Sequence, residues 1–323
     1  MKTDSKIYVA GHNGLVGSAI LRRLQSGGYS NIITRNSSEL DLTRQAEVEI
    51  FFEKEQPDYV FLAAAKVGGI LANSTYKADF IYSNLMIASN VIHSAYKFKT
   101  KKLLNLGSSC IYPKFAPQPM KEEHLLTGVL ESTNEPYAVA KIAAIKLCRY
   151  YNEQYGTNFI SGMPTNLYGP KDNFDLLNSH VLPAMMRKFH EAKQNTTAVE
   201  LWGTGSPFRE FLYVDDLADA CVFLMEKFDY QEVGELINIG TGKDITIKDL
   251  SLLIKDIVGF NGEILWDSTK PDGTPKKLLD ISRIRGLGWE PKTSLREGIR
   301  YTYEWYLKTV ITQSQHQTSE KTE

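Results

Sequence analysis

The N-terminal segment places a short buried strand directly before a glycine-rich turn and a helix. Residues 6–10 are a mostly apolar run, and Gly11-His-Asn-Gly14-Leu-Val-Gly17 follows it without a break. Glycines at this spacing let the backbone approach a pyrophosphate, and the first turn of the helix directs N–H groups toward it. This arrangement predicts a parallel α/β sheet that binds a dinucleotide at the end of its first strand.

Strand and helix candidates alternate along the first half of the chain. Strands are predicted at 32–34, 59–62, 102–106 and 159–162, with helices at 43–55, 84–96 and 137–155. The alternation predicts a doubly wound parallel Rossmann sheet of the α/β class. Further on, the pattern predicts helices at 180–192 and 295–307 and strands at 199–202 and 234–239.

The predicted organisation has two interleaved domains. Residues 1–170 form the dinucleotide-binding Rossmann domain, and segments near 212–240 return to it. Residues 171–310 form a second, smaller mixed α/β domain for the substrate, and 311–323 are a polar, disordered tail.

Charge and cysteine usage narrow the function classes. The formal net charge of −1 argues against a nucleic-acid or membrane partner, and no apolar run reaches the length of a membrane span. The N-terminus leads straight into a strand, so no signal peptide is expected. Cys110, Cys148 and Cys221 show neither CxxC spacing nor a disulfide framework, which favours a reducing cytoplasm. No metal site is predicted.

The end of the second strand bears on the choice of cofactor. Enzymes that use NAD usually carry an acidic residue there for the ribose 2′-hydroxyl, whereas this chain has Thr34-Arg35-Asn36-Ser37. Arg35 without a neighbouring carboxylate favours a 2′-phosphate, so NADP(H) is predicted over NAD(H). The alternative is that Arg35 is an ordinary surface cation.

Tyr137 and Lys141 stand four residues apart on a predicted helix, downstream of Ser108. Side chains at this spacing share one helix face, so the Lys141 ammonium is expected beside the Tyr137 phenol. A nearby positive charge is expected to lower the pKa of the phenol, and a serine hydroxyl can orient the substrate oxygen. The three residues predict a reductase, although each has a purely structural alternative.

Cys110 and His180 have no role in simple hydride transfer. Cys110 could be a small apolar filler, and His180 could be a capping or core histidine. Together they suggest an acid and a base on opposite faces of one sugar ring. Inversion of a carbon next to a ketone removes a proton from one face and returns one to the other. Thiol and imidazole groups have pKa values that modest tuning makes usable for this work.

Four segments carry a resemblance to a known family. They are Gly107-Ser-Ser-Cys-Ile-Tyr-Pro113, Asn134-Glu-Pro-Tyr-Ala-Val-Ala-Lys141, Pro164-Thr-Asn-Leu-Tyr-Gly-Pro170 and Ala64-Ala-Lys-Val-Gly-Gly69. Together they resemble the GDP-L-fucose synthases, which are extended short-chain dehydrogenase/reductases. The resemblance runs from about Lys6 to about Leu307. It implies NADPH-dependent 3,5-epimerisation and 4-reduction of GDP-4-keto-6-deoxy-D-mannose to GDP-L-fucose by a homodimer.

The resemblance also implies a role for each matching residue. Tyr137 protonates O4, Lys141 holds the nicotinamide ribose, and Ser108 binds O4. Cys110 is the base and His180 the acid of the epimerisation. The residues that match the family's contacts to the GDP portion are Lys188, Trp202, Arg209 and Asp272. The predicted cofactor contacts, which come from the glycine motif, the second strand and the resemblance, are Gly11, His12, Asn13, Gly14, Leu15, Val16, Gly17, Arg35, Asp41, Leu106, Gly107, Lys141, Pro164, Thr165, Asn166, Leu167 and His180.

The chain departs from the family pattern in the cofactor region, and other functions remain open. Some members carry one arginine where this chain has Asn13 and a second one near Ser37, and their absence leaves Arg35 and backbone groups for the 2′-phosphate. One alternative is another extended short-chain enzyme, a sugar-nucleotide 4-epimerase or 4,6-dehydratase. Such a dehydratase typically has an acidic pair where this chain has Ser109-Cys110. A non-catalytic NADP-binding redox sensor is the alternative from a different class.

Overall fold

The structure is a computed structural model that describes residues 1–176, 178–270 and 272–311. Residues 312–323 of the predicted tail therefore lie outside the described residues. The strands are β1 Ile7–Ala10, β2 Ile32–Ile33, β3 Tyr59–Leu62, β4 Lys102–Leu106, β5 Phe159–Pro164, β6 Asn166–Tyr168, β7 Val199–Trp202, β8 Phe208–Tyr213, β9 Ile237–Ile239, β10 Asp244–Thr246, β11 Ile264–Asp267 and β12 Lys276–Lys277. The α-helices are α1 Leu15–Ser26, α2 Gln45–Glu55, α3 Ile70–Thr75, α4 Lys77–Lys97, α5 Glu135–Tyr155, α6 Val181–Asn195, α7 Val214–Lys227, α8 Tyr230–Val233, α9 Ile247–Val258, α10 Ser282–Gly286 and α11 Leu295–Tyr306.

A parallel sheet organises the described part of the chain, with the strand order β2-β1-β3-β4-β5-β9. Its central strands are buried on both faces, which is why they read as continuous apolar runs in the sequence. In β1, Ile7 and Val9 belong to the core that includes α1 and α7, whereas Tyr8 and Ala10 belong to the core that includes α2, α4 and α5. The prediction of a doubly wound α/β sheet is confirmed.

A third core lies outside this sheet. Strand β8 pairs with β6, β10 and β12, and β7 pairs with β11. Helices α6, α9 and α11 supply apolar side chains to this core. Strand β9, which comes late in the chain, pairs with β5 at the edge of the main sheet. The two sheets therefore meet along the segment that contains β5 and β6.

Several predicted boundaries differ from the structure. Helix α4 begins at Lys77 instead of residue 84, because Phe80 is buried and extends the apolar face by a turn beyond the pattern that starts at Leu85. The strand predicted at 234–239 is shorter, because Gly234 has a φ of +71° and ends α8. Ile311 ends a short π-helical turn that begins at Leu307.

Candidate active site

The glycine turn after β1 is built for close backbone approach. Gly11 has a φ of +86°, and a Cβ there would lie 2.8 Å from the backbone of Ala64. A Cβ on Gly17 would lie 2.1 Å from the carbonyl oxygen of Gly11. Gly14 precedes α1 and has no side chain to cap the helix. The first N–H groups of α1 therefore remain directed at the turn, and this cradle fits a pyrophosphate.

The predicted 2′-phosphate residue is held against α2. The Arg35 guanidinium lies 2.9 Å from the Glu55 carboxylate and donates to the carbonyl oxygen of Thr34 at 2.8 Å. At the turn itself, the Asn13 amide donates to the Asn36 side chain at 2.6 Å. The side-chain amides of Asn13 and Asn36 therefore lie at the end of β2 where the cofactor is predicted to bind. Arg35 is beside them and is paired with Glu55.

Asp41 has a local structural role. Its carboxylate accepts from the Thr43 backbone N–H at 2.9 Å and from the Thr43 hydroxyl at 2.7 Å, just before α2. These bonds hold the pKa of Asp41 below its usual value. They also fix the backbone between β2 and α2, where an adenine contact is predicted.

Ser108 and Cys110 lie on one short turn after β4. Ser108 caps a 3-10 helix, Ser109–Ile111, and its Oγ accepts from the Cys110 N–H at 3.4 Å. The thiol of Cys110 is buried, with only 7% of the residue exposed. The hydroxyl and the thiol are thereby held at the carboxyl end of β4, which is the end of a parallel sheet where ligands bind.

Helix α5 brings Tyr137 and Lys141 to the same place. Nζ of Lys141 donates to the carbonyl oxygen of Leu106 at 2.7 Å, and it lies 5.6 Å from the centre of the Tyr137 ring. The ammonium is thus fixed at the end of β4, two residues before Ser108. The predicted grouping of Ser108, Tyr137 and Lys141 is consistent with these contacts.

The electrostatics of this group correct one expectation. Burial lowers the pKa of Lys141 to about 8. Burial also raises the pKa of Tyr137, and Cys110 adds to the rise. The predicted lowering of the Tyr137 pKa by Lys141 is wrong for this structure, because desolvation of the phenolate raises that pKa and Cys110 raises it further. Tyr137 is consequently a protonated phenol at neutral pH.

Cys110 is subject to opposing influences. Burial raises its pKa, whereas the Ser108 hydroxyl and the charges of Lys277 and Lys141 act to lower it. A thiolate formed at this position would therefore be stabilised by one hydroxyl and two ammonium groups.

Lys277 is a functional candidate that the sequence analysis missed. It lies on β12, which pairs in parallel with β8 so that Lys277 stands opposite Arg209. Burial lowers the pKa of Lys277, and Arg209 contributes to the decrease, whereas Cys110 and Glu131 oppose it. No local pattern identifies this lysine, because its position depends on the pairing of two strands far apart in sequence.

His180 immediately precedes α6 and is exposed. Its loop contacts the segment after β3, where the Gly69 N–H donates to the carbonyl oxygen of Asn178 at 2.9 Å. Although the residue keeps exposed surface, the surrounding protein desolvates its imidazole and lowers the pKa, so the neutral ring predominates at pH 7. Within the described ranges no hydrogen bond joins His180 to Cys110, and the two residues come from different segments.

Trp202 forms an exposed aromatic surface at the end of β7. It is 63% exposed, and the ammonium groups of Lys188 and Lys270 lie 6.0 and 5.7 Å from its ring. Lys188 also donates to the carbonyl oxygen of Glu200 at 2.9 Å. An indole with two cations nearby can stack on a base and attract phosphate groups. Lys270 was not predicted, because it lies in a polar loop without a pattern.

Asp272 holds the turn that follows Trp202. Its carboxylate accepts from the backbone N–H and the hydroxyl of Thr204 at 2.7 and 2.8 Å. A Cβ on Gly203 would lie 2.2 Å from the same carboxylate. Asp272 is therefore bonded to the loop that follows Trp202. Both residues are predicted to contact the GDP portion of the substrate.

The segment between β5 and β6 is anchored to both sheets. The Thr165 N–H donates to the carbonyl oxygen of Ile239 in β9 at 3.1 Å. The Asn166 amide donates to the carbonyl oxygen of Glu210 in β8 at 2.8 Å. The predicted cofactor segment thus lies at the junction of the two sheets. Among the described residues no cluster of His, Cys, Asp or Glu is arranged to hold a metal ion.

The doubly wound sheet, the glycine cradle and the Ser–Tyr–Lys group define an NAD(P)-dependent enzyme of the short-chain dehydrogenase/reductase class. Residues 7–240 match the model of the NAD dependent epimerase/dehydratase family, and the chain belongs to that family. No helix in the described part of the chain is long and apolar enough to cross a membrane.

Particular relatives narrow the position within the family. The chain is 63% identical over 308 residues to GDP-L-fucose synthase 1 of Arabidopsis thaliana, covering 95% of this chain and 94% of the relative. It is 54% identical over 313 residues to the GDP-L-fucose synthase of Escherichia coli K12, covering 95% and 98%. A solved gdp-l-fucose synthetase from Naegleria fowleri bound to NADP matches with a TM-score of 0.88 at 31% identity, covering 97% of each chain. The resemblance to GDP-L-fucose synthases is confirmed.

Proposed function

We propose that this chain is a bifunctional, NADPH-dependent enzyme that converts GDP-4-keto-6-deoxy-D-mannose to GDP-L-fucose. The observation that carries the proposal is the placement of Ser108 and Cys110 on one turn, next to the lysine and tyrosine of α5. Ser108, Tyr137 and Lys141 account for a reductase, and Cys110 adds a base that reduction does not require. The high identity to GDP-L-fucose synthases supports the same conclusion.

The first half of the reaction is epimerisation. The C4 ketone acidifies the protons on C3 and C5, so the Cys110 thiolate can remove one and leave an enolate. The imidazolium form of His180, a minor fraction at pH 7, then returns a proton to the opposite face of the ring. The charges of Lys277 and Lys141 favour the thiolate and offset part of the effect of burial, which on balance raises the pKa of Cys110. Each inversion leaves Cys110 protonated and His180 deprotonated, and exchange with solvent resets both groups.

The second half is reduction at C4. NADPH supplies the hydride. Tyr137 donates its phenolic proton to O4, and its raised pKa keeps that proton available at neutral pH. Ser108 holds O4 by a hydrogen bond, and the Lys141 ammonium holds the nicotinamide ribose and stabilises the phenolate that forms.

The GDP portion is assigned to the second region of the fold. Trp202 stacks on the guanine, and Lys188 and Lys270 near its ring supply positive charge. Arg209 and Lys277, on paired strands, suit the diphosphate. Asp272 keeps the Trp202 loop in place through Thr204.

For the cofactor, the glycine turn holds the pyrophosphate and residues 164–167 line the nicotinamide side. Arg35 is assigned to the 2′-phosphate, although Glu55 shares its guanidinium. This sharing predicts a weaker preference for NADPH over NADH than a free arginine would give. The ratio of kcat/KM for the two cofactors, measured before and after Glu55→Gln, tests the assignment.

A homodimer in a reducing cytoplasm is part of the proposal. Helices α4 and α5 pack together and expose Tyr82, Tyr150 and Tyr155 at 62%, 54% and 48%. Exposed aromatic residues on two adjacent helices suit an isologous contact between copies. The cysteines of the described residues are free and buried, which suits a reducing compartment.

The deciding experiment is the stoichiometry of cofactor use. The purified chain is given GDP-4-keto-6-deoxymannose with NADPH, and the nicotinamide absorbance is followed. One NADPH oxidised for each sugar converted supports the proposal. A 4-epimerase or 4,6-dehydratase recycles its cofactor, so a flat absorbance during conversion of the sugar would reject the reductase. Absence of any turnover would favour a redox sensor.

A further inference from the structure

Glu210 is a fully buried carboxylate beside the proposed diphosphate site. It lies on β8 next to Arg209, and 0% of its surface is exposed. One carboxylate oxygen accepts from the backbone N–H groups of Thr241 and Gly242 at 2.6 and 2.7 Å. The other accepts from the backbone N–H of Leu279 at 2.9 Å. Burial of a carboxylate costs free energy unless hydrogen-bond donors satisfy it, and three backbone N–H groups do so here.

These contacts link three segments of the fold to Glu210. The Thr241–Gly242 turn follows β9 of the main sheet. Leu279 comes two residues after Lys277 of β12. The backbone carbonyl of Glu210 accepts from Asn166 at 2.8 Å, on the cofactor side. The backbone of Glu210 therefore contacts the cofactor segment, and its side chain joins the turn after β9 to the segment after β12.

The space around the carboxylate is filled. A Cβ on Gly240 would lie 2.4 Å from the carboxylate oxygen that binds Thr241 and Gly242. Burial raises the pKa of Glu210, whereas the backbone donors oppose that rise. The side chain consequently cannot turn away without leaving buried N–H groups unpaired.

We propose that Glu210 is a positioning residue for the GDP-sugar: its carboxylate fixes the β12 segment against β8 and thereby holds Lys277 beside Arg209. An amide at this position has only one acceptor oxygen. In Glu210→Gln that oxygen can serve Thr241 and Gly242, and the NH2 group then faces the Leu279 N–H. Two donors repel, so the β12 side is the one released.

The inference rests on the proposed GDP-sugar site, and GDP itself is the probe. We measure the Kd of GDP by calorimetry and the Kd of NADPH by fluorescence, for the full-length wild type and for Glu210→Gln. The expected result is a GDP Kd raised about tenfold or more, with the NADPH Kd within about twofold, because the backbone contact to Asn166 is unchanged.

A matched control separates positioning from general loss of stability. Asp216 is also a buried carboxylate that accepts from a backbone N–H, that of Thr293 at 2.9 Å, but it lies on α7. Asp216→Asn is expected to lower the melting temperature and leave the GDP Kd unchanged. If both substitutions raise the GDP Kd equally, Glu210 has no special role in the site.

A double-mutant cycle with Lys277→Met makes the test specific. If Glu210 acts through Lys277, then Glu210→Gln adds little to the GDP Kd once Lys277 is gone, whereas fully additive effects overturn the proposal. Should Glu210→Gln fail to fold, Glu210→Asp retains both oxygens and is expected to raise the GDP Kd in the same direction. Failure of both variants to fold also overturns it, since Glu210 would then be required for the fold. A wild type that does not bind GDP rejects the proposed function instead.

Discussion

Replacement of Tyr137 by phenylalanine is expected to abolish reduction while leaving epimerisation in place. The substitution removes one hydroxyl and keeps the ring, which lies 5.6 Å from Nζ of Lys141. The bond from Lys141 to the Leu106 carbonyl oxygen at 2.7 Å does not involve the tyrosine, so the lysine stays in position.

The size of the effect follows from the role of a general acid. Burial raises the pKa of Tyr137, so nearly all molecules hold the proton at neutral pH and the whole contribution is lost. General acid catalysis typically contributes about 100- to 10,000-fold in rate. At 1.36 kcal/mol for each factor of ten, the barrier for reduction rises by about 2.7–5.4 kcal/mol.

Stopped-flow absorbance of NADPH with GDP-4-keto-6-deoxymannose measures this rate. The control is Tyr301→Phe, which removes a hydroxyl from a 40% exposed tyrosine on α11 and should leave the rate unchanged. Exchange of C3 and C5 protons with deuterated solvent should continue in Tyr137→Phe. Reduction within about threefold of the wild type would refute Tyr137 as the acid.

The remaining predictions concern the base, the diphosphate cations, the histidine loop and pH. Cys110→Ser should keep cofactor affinity but slow exchange at C3 and C5 by about 100-fold or more, as measured by NMR; unchanged exchange removes the thiol from the mechanism. Lys277→Met should raise the KM for the GDP-sugar about tenfold and change the KM for NADPH little; equal effects on both point to a structural lysine. Gly69→Ala places a Cβ 3.0 Å from the carbonyl oxygen of Ser179. It should slow proton return by His180 about three- to tenfold, seen as reduced exchange with normal NADPH binding, whereas normal exchange would separate this loop from the acid. Because burial lowers the pKa of Lys141 to about 8, its ammonium is lost as pH rises through that value, so kcat for reduction should fall above pH 8; a flat profile to about pH 9.5 contradicts the role.

The sequence predicts the main sheet well because its signals are local. The bounds of β3, β4 and β7 agree with the prediction, since each is a short run set off by turns or polar residues. The glycine turn and the spacing of Tyr137 and Lys141 also depend on neighbours in sequence. These features place the cofactor cradle and the reductase group without a structure.

Features that depend on distant pairing were not predicted. Lys277 becomes a candidate only when β12 pairs with β8, and Glu210 only when its carboxylate meets Leu279. Desolvation is equally invisible in the sequence, which is why the pKa of Tyr137 was expected to fall and instead rises. Asp272 was predicted as a substrate contact, and its bonds to Thr204 show how it is held.

The central claim is that one site performs both epimerisation and reduction. The most direct measurement is the reaction of the purified chain with GDP-4-keto-6-deoxymannose and NADPH in deuterated water, followed by NMR of the product. The expected product is GDP-L-fucose with deuterium at C3 and C5 and hydrogen from NADPH at C4, and one NADPH is oxidised for each product. A reduced sugar that keeps its original hydrogens at C3 and C5 would show a simple 4-reductase and contradict the role of Cys110 and His180.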